Sequence, residues 1–311
     1  MMNTRSFDIY AHLSALVRVS TSRFMTTLVP VAIPGADEVL RQAASENFAV
    51  ASRLLPKATR RHLLALYGFA RLTDEIGDEV TQDQLALLDW LDDELELAAR
   101  GEATHPLLRQ LTPTIAECNL PLDPFHRLIE ANRLDQLVHR YETFEDLVSY
   151  AQLSAAPVGQ LVLAVLGESS PERTMLSDDV CIGLQIVEHI QDVKEDLGKG
   201  RVYLPQADLR VFGCGPAELD APHAGAELRM VLRLEGRRAR RLLGSVTPLG
   251  RTLPLRFRFA VCGFAAGGMA ALDAIERMGH DVLGRQPRPR PLRLGARLTA
   301  SLWAASTGRP L

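Results

Sequence analysis

Leu66-Tyr67-Gly68-Phe69-Ala70-Arg71-Leu72-Thr73-Asp74-Glu75-Ile76-Gly77-Asp78-Glu79 is the stretch that decides how this chain folds. Leu63, Leu64, Leu66, Tyr67 and Ala70 recur at helical spacing, which predicts a helix over 60–80. Asp74 and Asp78 stand four apart and so share one face of it. A counterpart lies further on, in Gln191-Asp192-Val193-Lys194-Glu195-Asp196, at the end of a helix predicted over 171–197. Like charges at this spacing weaken a helix by a few tenths of a kcal/mol, and one such pair is ordinary on a solvated surface. Here both pairs continue apolar faces, at Tyr67 to Ala70 and at Ile182 to Val187. Carboxylates on a core-facing stripe need a partner to offset their desolvation. Magnesium is the natural one, being a hard ion that takes one or two carboxylates plus phosphate oxygens and water. Two opposed pairs holding several such ions would in turn hold a diphosphate, neutralise it as a leaving group and help ionise a carbon–oxygen bond.

Outward from these motifs the chain is helical throughout. Further helices are predicted over 36–47, 82–99, 106–118, 124–140, 143–166 (interrupted at Pro157 and Gly159), 226–243 and 255–278, with a Gly- and Pro-rich loop over 201–224. β-branched alternation never persists, and no repeat of solenoid length appears. The fold class is therefore all-α, in a single domain of about eight or more helices. Hydrophobic residues at 47% and charged residues at 23% of 311 exclude a disordered chain. The 35 basic against 38 acidic residues give a net charge of -3, which argues against a nucleic-acid partner. Four scattered cysteines without a CxxC pair point to free thiols in a reducing compartment rather than to zinc.

The two ends differ. Residues 1–35 carry Arg5, Arg18 and Arg23 ahead of a short apolar run broken by Pro30. A weak signal peptide and a disordered extension, with Met25 the truer start, are the two readings, and the extension is preferred. No uninterrupted apolar run reaches the roughly 18 residues of a spanning helix. The domain proper is expected over 36–284, followed by a basic Pro/Arg-rich tail over 285–311. That tail holds Arg285, Arg288, Arg290, Arg293, Arg297 and Arg309 and no acid, and its prolines predict an extended chain. It is either a solvated tail or a segment drawn to anionic lipid heads, with Leu298 to Trp303 as an apolar anchor.

Basic residues attend both acid pairs: Arg53, Lys57, Arg60 and Arg71 around the first, Lys199 and Arg201 after the second. Arginine grips phosphate oxygens in pairs and lysine acts as a point charge. Ser45-Glu46-Asn47-Phe48-Ala49-Val50-Ala51-Ser52-Arg53-Leu54-Leu55-Pro56 and the 66–79 stretch resemble the squalene/phytoene synthase family. So do Leu184-Gln185, Gln191 to Asp196, and Lys199-Gly200-Arg201-Val202-Tyr203-Leu204-Pro205. The two blocks stand in the family's order, roughly 110 residues apart. Glu46-Asn47-Phe48 and Ser154-Ala155-Ala156-Pro157-Val158-Gly159-Gln160-Leu161-Val162-Leu163 look most like the bacterial hydroxysqualene-forming branch.

The resemblance implies a type I isoprenoid-synthase helical bundle around a central cavity. It also implies about two or three Mg²⁺ ions and no nicotinamide cofactor. By position, Asp74, Asp78, Asp192 and Asp196 would bind the metal, joined by Glu188 where the family usually has Asn. Arg53, Arg71, Lys199 and Arg201 would hold substrate diphosphate, and Tyr67, Tyr150, Gln185 and Tyr203 would line the cavity, where a tyrosine face steadies a cation. Gln191 and Glu75 are further departures, at positions where Arg and Asp are usual, and His189 is read as a packing residue. The implied reaction takes presqualene diphosphate and water to hydroxysqualene in squalene and hopanoid synthesis. The alternative is head-to-head condensation of two prenyl diphosphates to squalene, dehydrosqualene or phytoene. A helical assembly factor without chemistry is disfavoured, because all four aspartates remain. The implied location is the cytoplasm, at the inner face of the cytoplasmic membrane, beside other enzymes of the pathway.

Overall fold

The computed structural model describes residues 55–78, 83–287 and 291–308. The helix predicted over 36–47, the extension 1–35 and Arg53 lie outside the described residues. Within them the chain is helical, with one isolated parallel bridge, Arg140 to Val202, and no strand. The helices are α1 Lys57–Asp78, α2 Gln84–Arg100, α3 Pro106–Glu117, α4 Asp123–Asp135, α5 Phe144–Ser154, α6 Ala156–Leu166 and α7 Pro171–Gln191. There follow α8 Val193–Gly198, α9 Gln206–Val211, α10 Pro216–Leu219, α11 Ala226–Leu243, α12 Val246–Thr252, α13 Leu255–Arg277 and α14 Pro291–Thr307.

Helix α1 forms because its apolar residues repeat on one side. Leu63, Leu66, Phe69, Leu72 and Ile76 are buried against α3, α4 and α6. Phe69 meets Phe125 of α4 edge to face, with centroids 4.9 Å apart, and a buried side chain of this size contributes about 2 kcal/mol. Helix α7 is the strut of the molecule. Ser170 caps its start, accepting from the Arg173 amide, and Pro171 opens its first turn. It packs on α5, α6, α11, α12 and α13. Its apolar residues, among them Ile182, Ile186, Val187 and Ile190, belong to a core continuous with Val231, Leu232, Leu243 and Leu272.

Several expected boundaries move, each for a local reason. Helix α4 stops at Asp135 rather than running to 140, because the next residues unwind to accept backbone hydrogen bonds: His139 from Val202, Tyr141 from Gln206 and Glu142 from Ala207, each at 2.9 Å. The interruption in 143–166 falls at Ala155, and Pro157 opens α6, where its missing N–H is harmless. The helix predicted over 171–197 breaks at Asp192, which is the C-cap of α7 and precedes the short α8. The 201–224 loop contains α9 and α10.

The largest correction concerns the C-terminal segment. Residues 291–307 form helix α14, packed on α12 and α13, with Ser301, Ala304 and Ala305 buried. Its prolines sit before or at the first turn, where they do not disrupt a helix. Two stretches, Phe144–Leu166 and Leu255–Arg277, are long and apolar enough to span a membrane by length and composition. Both are woven into the helical core, with 44% and 61% of the apolar window buried within the fold.

Candidate active site

Tyr67, Arg71, Asp74 and Asp78 follow one another at spacings of four, three and four, so they form one stripe along α1. The end of that stripe is pinned. Gly77 is buried so close to α4 that an added Cβ would sit 2.0 Å from Asn132 Oδ1. Its carbonyl accepts from Gln84 Nε2 at 2.7 Å and from Gln136 Nε2 at 3.0 Å. The Asn132 amide, which donates to the Leu128 carbonyl at 3.2 Å, also lies close enough to favour the charged form of Asp74. Asp74 and Asp78 are both exposed, so the acid pair lies at the solvent edge of the apolar stripe and not on its core-facing side. Loss of hydration, with Asp78 one turn away, raises the Asp74 pKa to about 7; Asn132 and Arg71 oppose the shift. Arg71 is half-buried, and its Nε has no hydrogen-bond partner among the described residues. Tyr67 is half-buried one turn earlier.

The second acid motif is fixed differently. Asp192 ends α7 and Asp196 lies one turn on, its amide bonded to the Asp192 carbonyl at 2.8 Å. The approach to the C-terminal segment laces this turn down. Gln286 Nε2 donates to Asp192 Oδ1 at 3.2 Å, Gln191 Nε2 to the Pro287 carbonyl at 3.3 Å, and Lys194 Nζ to the Leu283 carbonyl at 3.3 Å. Burial raises the Asp192 pKa, Gln286 opposes, and Asp196 and Glu195 add to the rise. Beyond α8, Gly200 takes φ +79, a left-handed turn that a side chain would resist. The chain then runs beside 139–142 and turns two cations back toward α1. Arg201 Nη1 lies 2.5 Å from Asp78 Oδ1, and Lys199 Nζ lies 3.2 Å from Asp78 Oδ2. Asp78 of the first motif is thus joined to the basic residues that follow the second.

Beneath this contact lies a ring cluster around Asp135, a buried carboxylate. Tyr150 OH donates to Asp135 Oδ2 at 2.6 Å and Tyr203 OH to Oδ1 at 2.9 Å. Tyr141 stacks on Tyr203, and His189 stacks on the same ring at 3.8 Å and 15°. Gln185 Nε2 is 3.3 Å from His189 Nε2, and Asp196 Oδ2 is 3.9 Å from His189 Nδ1. Burial pushes the Asp135 pKa up, against the two phenols and Arg201. Burial and Asp135 also push the Tyr150 and Tyr203 hydroxyls above their ordinary values, so both remain protonated donors.

Of the residues singled out from sequence, the structure therefore unites Asp78, Lys199 and Arg201 directly. Tyr150, Tyr203, Gln185 and Asp196 are linked through Asp135 and His189. Lys199 and Arg201, expected on substrate diphosphate, here hold Asp78. Glu188 is exposed one turn before Asp192. Among the described residues no group of three or more His, Cys, Asp or Glu side chains converges as a ready metal cage. The donor set still fits magnesium, which needs only one or two carboxylates when phosphate and water complete its shell. Asp74 and Asp192, each raised by lost hydration and a neighbouring carboxylate, are groups that a cation would relieve. The residue missed from sequence is Asp135. Its signal was present: it follows Leu128 and Ala131 at helical spacing, an acid on a core stripe.

An all-helical bundle with carboxylate pairs on two rods and cations between them defines the isoprenoid-synthase class. This chain belongs to the squalene/phytoene synthase family, whose profile it matches over residues 41–295. It is 34% identical over 233 residues to a hydroxysqualene synthase of Sinorhizobium fredii, covering 73% of this chain and 77% of that one. It is 37% identical over 206 residues to a hydroxysqualene synthase of Rhodopseudomonas palustris, covering 66% and 70%. A phytoene synthase of Arthrospira platensis is 28% identical over 289 residues, covering 87% and 93%. Among solved structures, squalene synthase HpnC from Alicyclobacillus acidocaldarius superposes with TM-score 0.73 at 44% identity, covering 81% of this chain and 97% of that one.

Proposed function

We propose that this chain is a hydroxysqualene synthase, converting presqualene diphosphate and water to hydroxysqualene and diphosphate. The observation that carries the reading is the contact of Asp78, in the first acid motif, with Lys199 and Arg201, which follow the second, and the Asp135 ring cluster behind them. The hydroxysqualene synthases at 34% and 37% identity support the choice of reaction. Asp74, Asp78, Asp192 and Asp196 would hold Mg²⁺, which when bound neutralises charge on the departing diphosphate. Lys199 and Arg201 exchange Asp78 for the phosphate oxygens as the leaving group gains charge. The carbon–oxygen bond to diphosphate breaks with both electrons staying on oxygen. The cyclopropylcarbinyl cation rearranges with opening of its ring, and water then adds to the resulting carbocation and gives up one proton to the released diphosphate. The ring of Tyr150 offers negative π density to the cation, and Tyr203, covered by His189 and Tyr141, backs it. Asp135 fixes both rings by accepting their hydroxyl protons in hydrogen bonds, and His189 packs the far side of Tyr203.

A hydroxysqualene-forming enzyme releases a long apolar alcohol, and a peripheral position on the cytoplasmic membrane follows from that chemistry. Purified protein supplied with presqualene diphosphate and Mg²⁺, without NADPH, is expected to yield hydroxysqualene. No turnover of that substrate, with condensation of farnesyl or geranylgeranyl diphosphate instead, would replace this reading with that of a condensing synthase, the activity named for the Arthrospira relative.

A further inference from the structure

The far end of α7 holds a second charged site. Arg240 and Arg241 at the end of α11, Arg251 at the end of α12 and Arg297 on α14 surround one cavity, floored by Thr247. Four arginines face two carboxylates. Asp273 pairs with Arg240 at 2.9 Å and Arg297 at 2.6 Å, and Glu276 pairs with Arg240 at 2.9 Å. Arg241 and Arg251 are exposed and have no ion-pair partner among the described residues. Thr247 is only 8% exposed, yet its Oγ1 has no hydrogen-bond partner among the described residues. A buried hydroxyl left this way is destabilising unless a ligand or water meets it. Ser245, two residues before Thr247, donates to Asp179 of α7 at 2.8 Å. From Asp179 to Asp192 the helix rises about 20 Å, so this cavity is separate from the acid motifs.

The geometry points to this arginine cavity as a binding site for a phosphoryl anion, held by Arg241 and Arg251 and by the Thr247 hydroxyl. Planar guanidinium groups match phosphate oxygens in pairs, and the hydroxyl supplies one further donor. Arg240 and Arg297 set the positive field while Asp273 holds them in place. Because α14 closes one side, the ligand would also brace the C-terminal helix against α12. The phosphoryl group would come from a soluble diphosphate or from an anionic lipid head, and the same variants separate the two.

The test compares wild type, Arg241→Ala/Arg251→Ala and Thr247→Val, all full length. Inorganic diphosphate is titrated calorimetrically in EDTA, and binding to phosphatidylglycerol vesicles is compared with binding to phosphatidylcholine vesicles. Binding of either anionic probe at least tenfold weaker in the double variant, and weaker in Thr247→Val, with unchanged melting temperature and turnover in detergent, supports the site. Loss confined to diphosphate marks a soluble ligand; loss confined to phosphatidylglycerol marks a lipid head. Equal binding of both probes by wild type and both variants, or no binding of either probe by wild type, overturns it.

Discussion

The two ends of α7 carry opposite charge on the same scaffold. At its C-terminal end, Lys199 and Arg201 restrain Asp78 of α1, Lys199 also pairs with Glu195 of α8, and Gln286 holds Asp192. Toward its N-terminal end, arginines from α11, α12 and α14 are restrained by Asp273 and Glu276. The acid end is also backed by a buried hydrogen-bonded ring cluster, whereas the arginine end opens on exposed side chains. Charge alone therefore does not make a reaction site in this fold. What distinguishes the acid end is a rigid set of donors and rings behind its charges, the preorganisation that stabilises a developing cation.

Breaking each end should break different things. Asp78→Ala or Asp192→Ala is expected to lower turnover of presqualene diphosphate by about 10³-fold with little change in melting temperature. Arg241→Ala/Arg251→Ala should leave turnover alone; a parallel loss would erase the distinction between the ends. Asp135→Asn keeps the shape of the ring anchor and removes its charge, so turnover should fall about 10²-fold. If rates stay at wild type, the cluster is mere packing.

The same variant has a pH signature. Burial raises the Asp135 pKa, so the folded chain keeps this proton to higher pH than the unfolded chain does. Its contribution to stability is therefore full below the ordinary carboxylate range and is lost as pH rises toward the raised value. Wild type should lose more stability than Asp135→Asn on going from pH 4 upward, measured by urea unfolding at stepped pH. A parallel pair of curves would contradict this. Gly77→Leu forces a side chain into Asn132 and should destabilise the protein by about 3 kcal/mol, read from the same unfolding curves. Arg297→Ala removes a part-exposed ion pair with Asp273, and about 1 kcal/mol or less is expected there.

The difference between the ends also explains what could be read in advance. The acid end was legible because its charges repeat at i, i+4 within single helices, continuing apolar faces, and the helical class was legible for the same periodic reason. Asp135 escaped because it is a lone acid, recognisable only once its place on the Leu128 and Ala131 stripe is considered. The break at Asp192 and the unwinding after Asp135 depend on contacts with distant segments, the 283–287 approach and the 200–207 loop. Helix α14 is not legible locally because prolines near its start predict an extended chain, whereas Leu298, Leu302 and Ala305 find their apolar partners in the core that α12 and α13 help to build. The arginine cavity is assembled from three helices, so no local spacing announces it.

The central claim is that the carboxylates of α1 and those of α7 and α8 share metal ions with one diphosphate. Crystals grown with Mn²⁺ and inorganic diphosphate, measured at the manganese absorption edge, test it most directly. The account predicts anomalous peaks bridged by diphosphate, with Asp74 and Asp78 on one side, Asp192 and Asp196 on the other, and Lys199 and Arg201 moved from Asp78 onto phosphate oxygens. Metal bound at only one acid pair, or Lys199 and Arg201 still locked on Asp78 with diphosphate elsewhere, would contradict it.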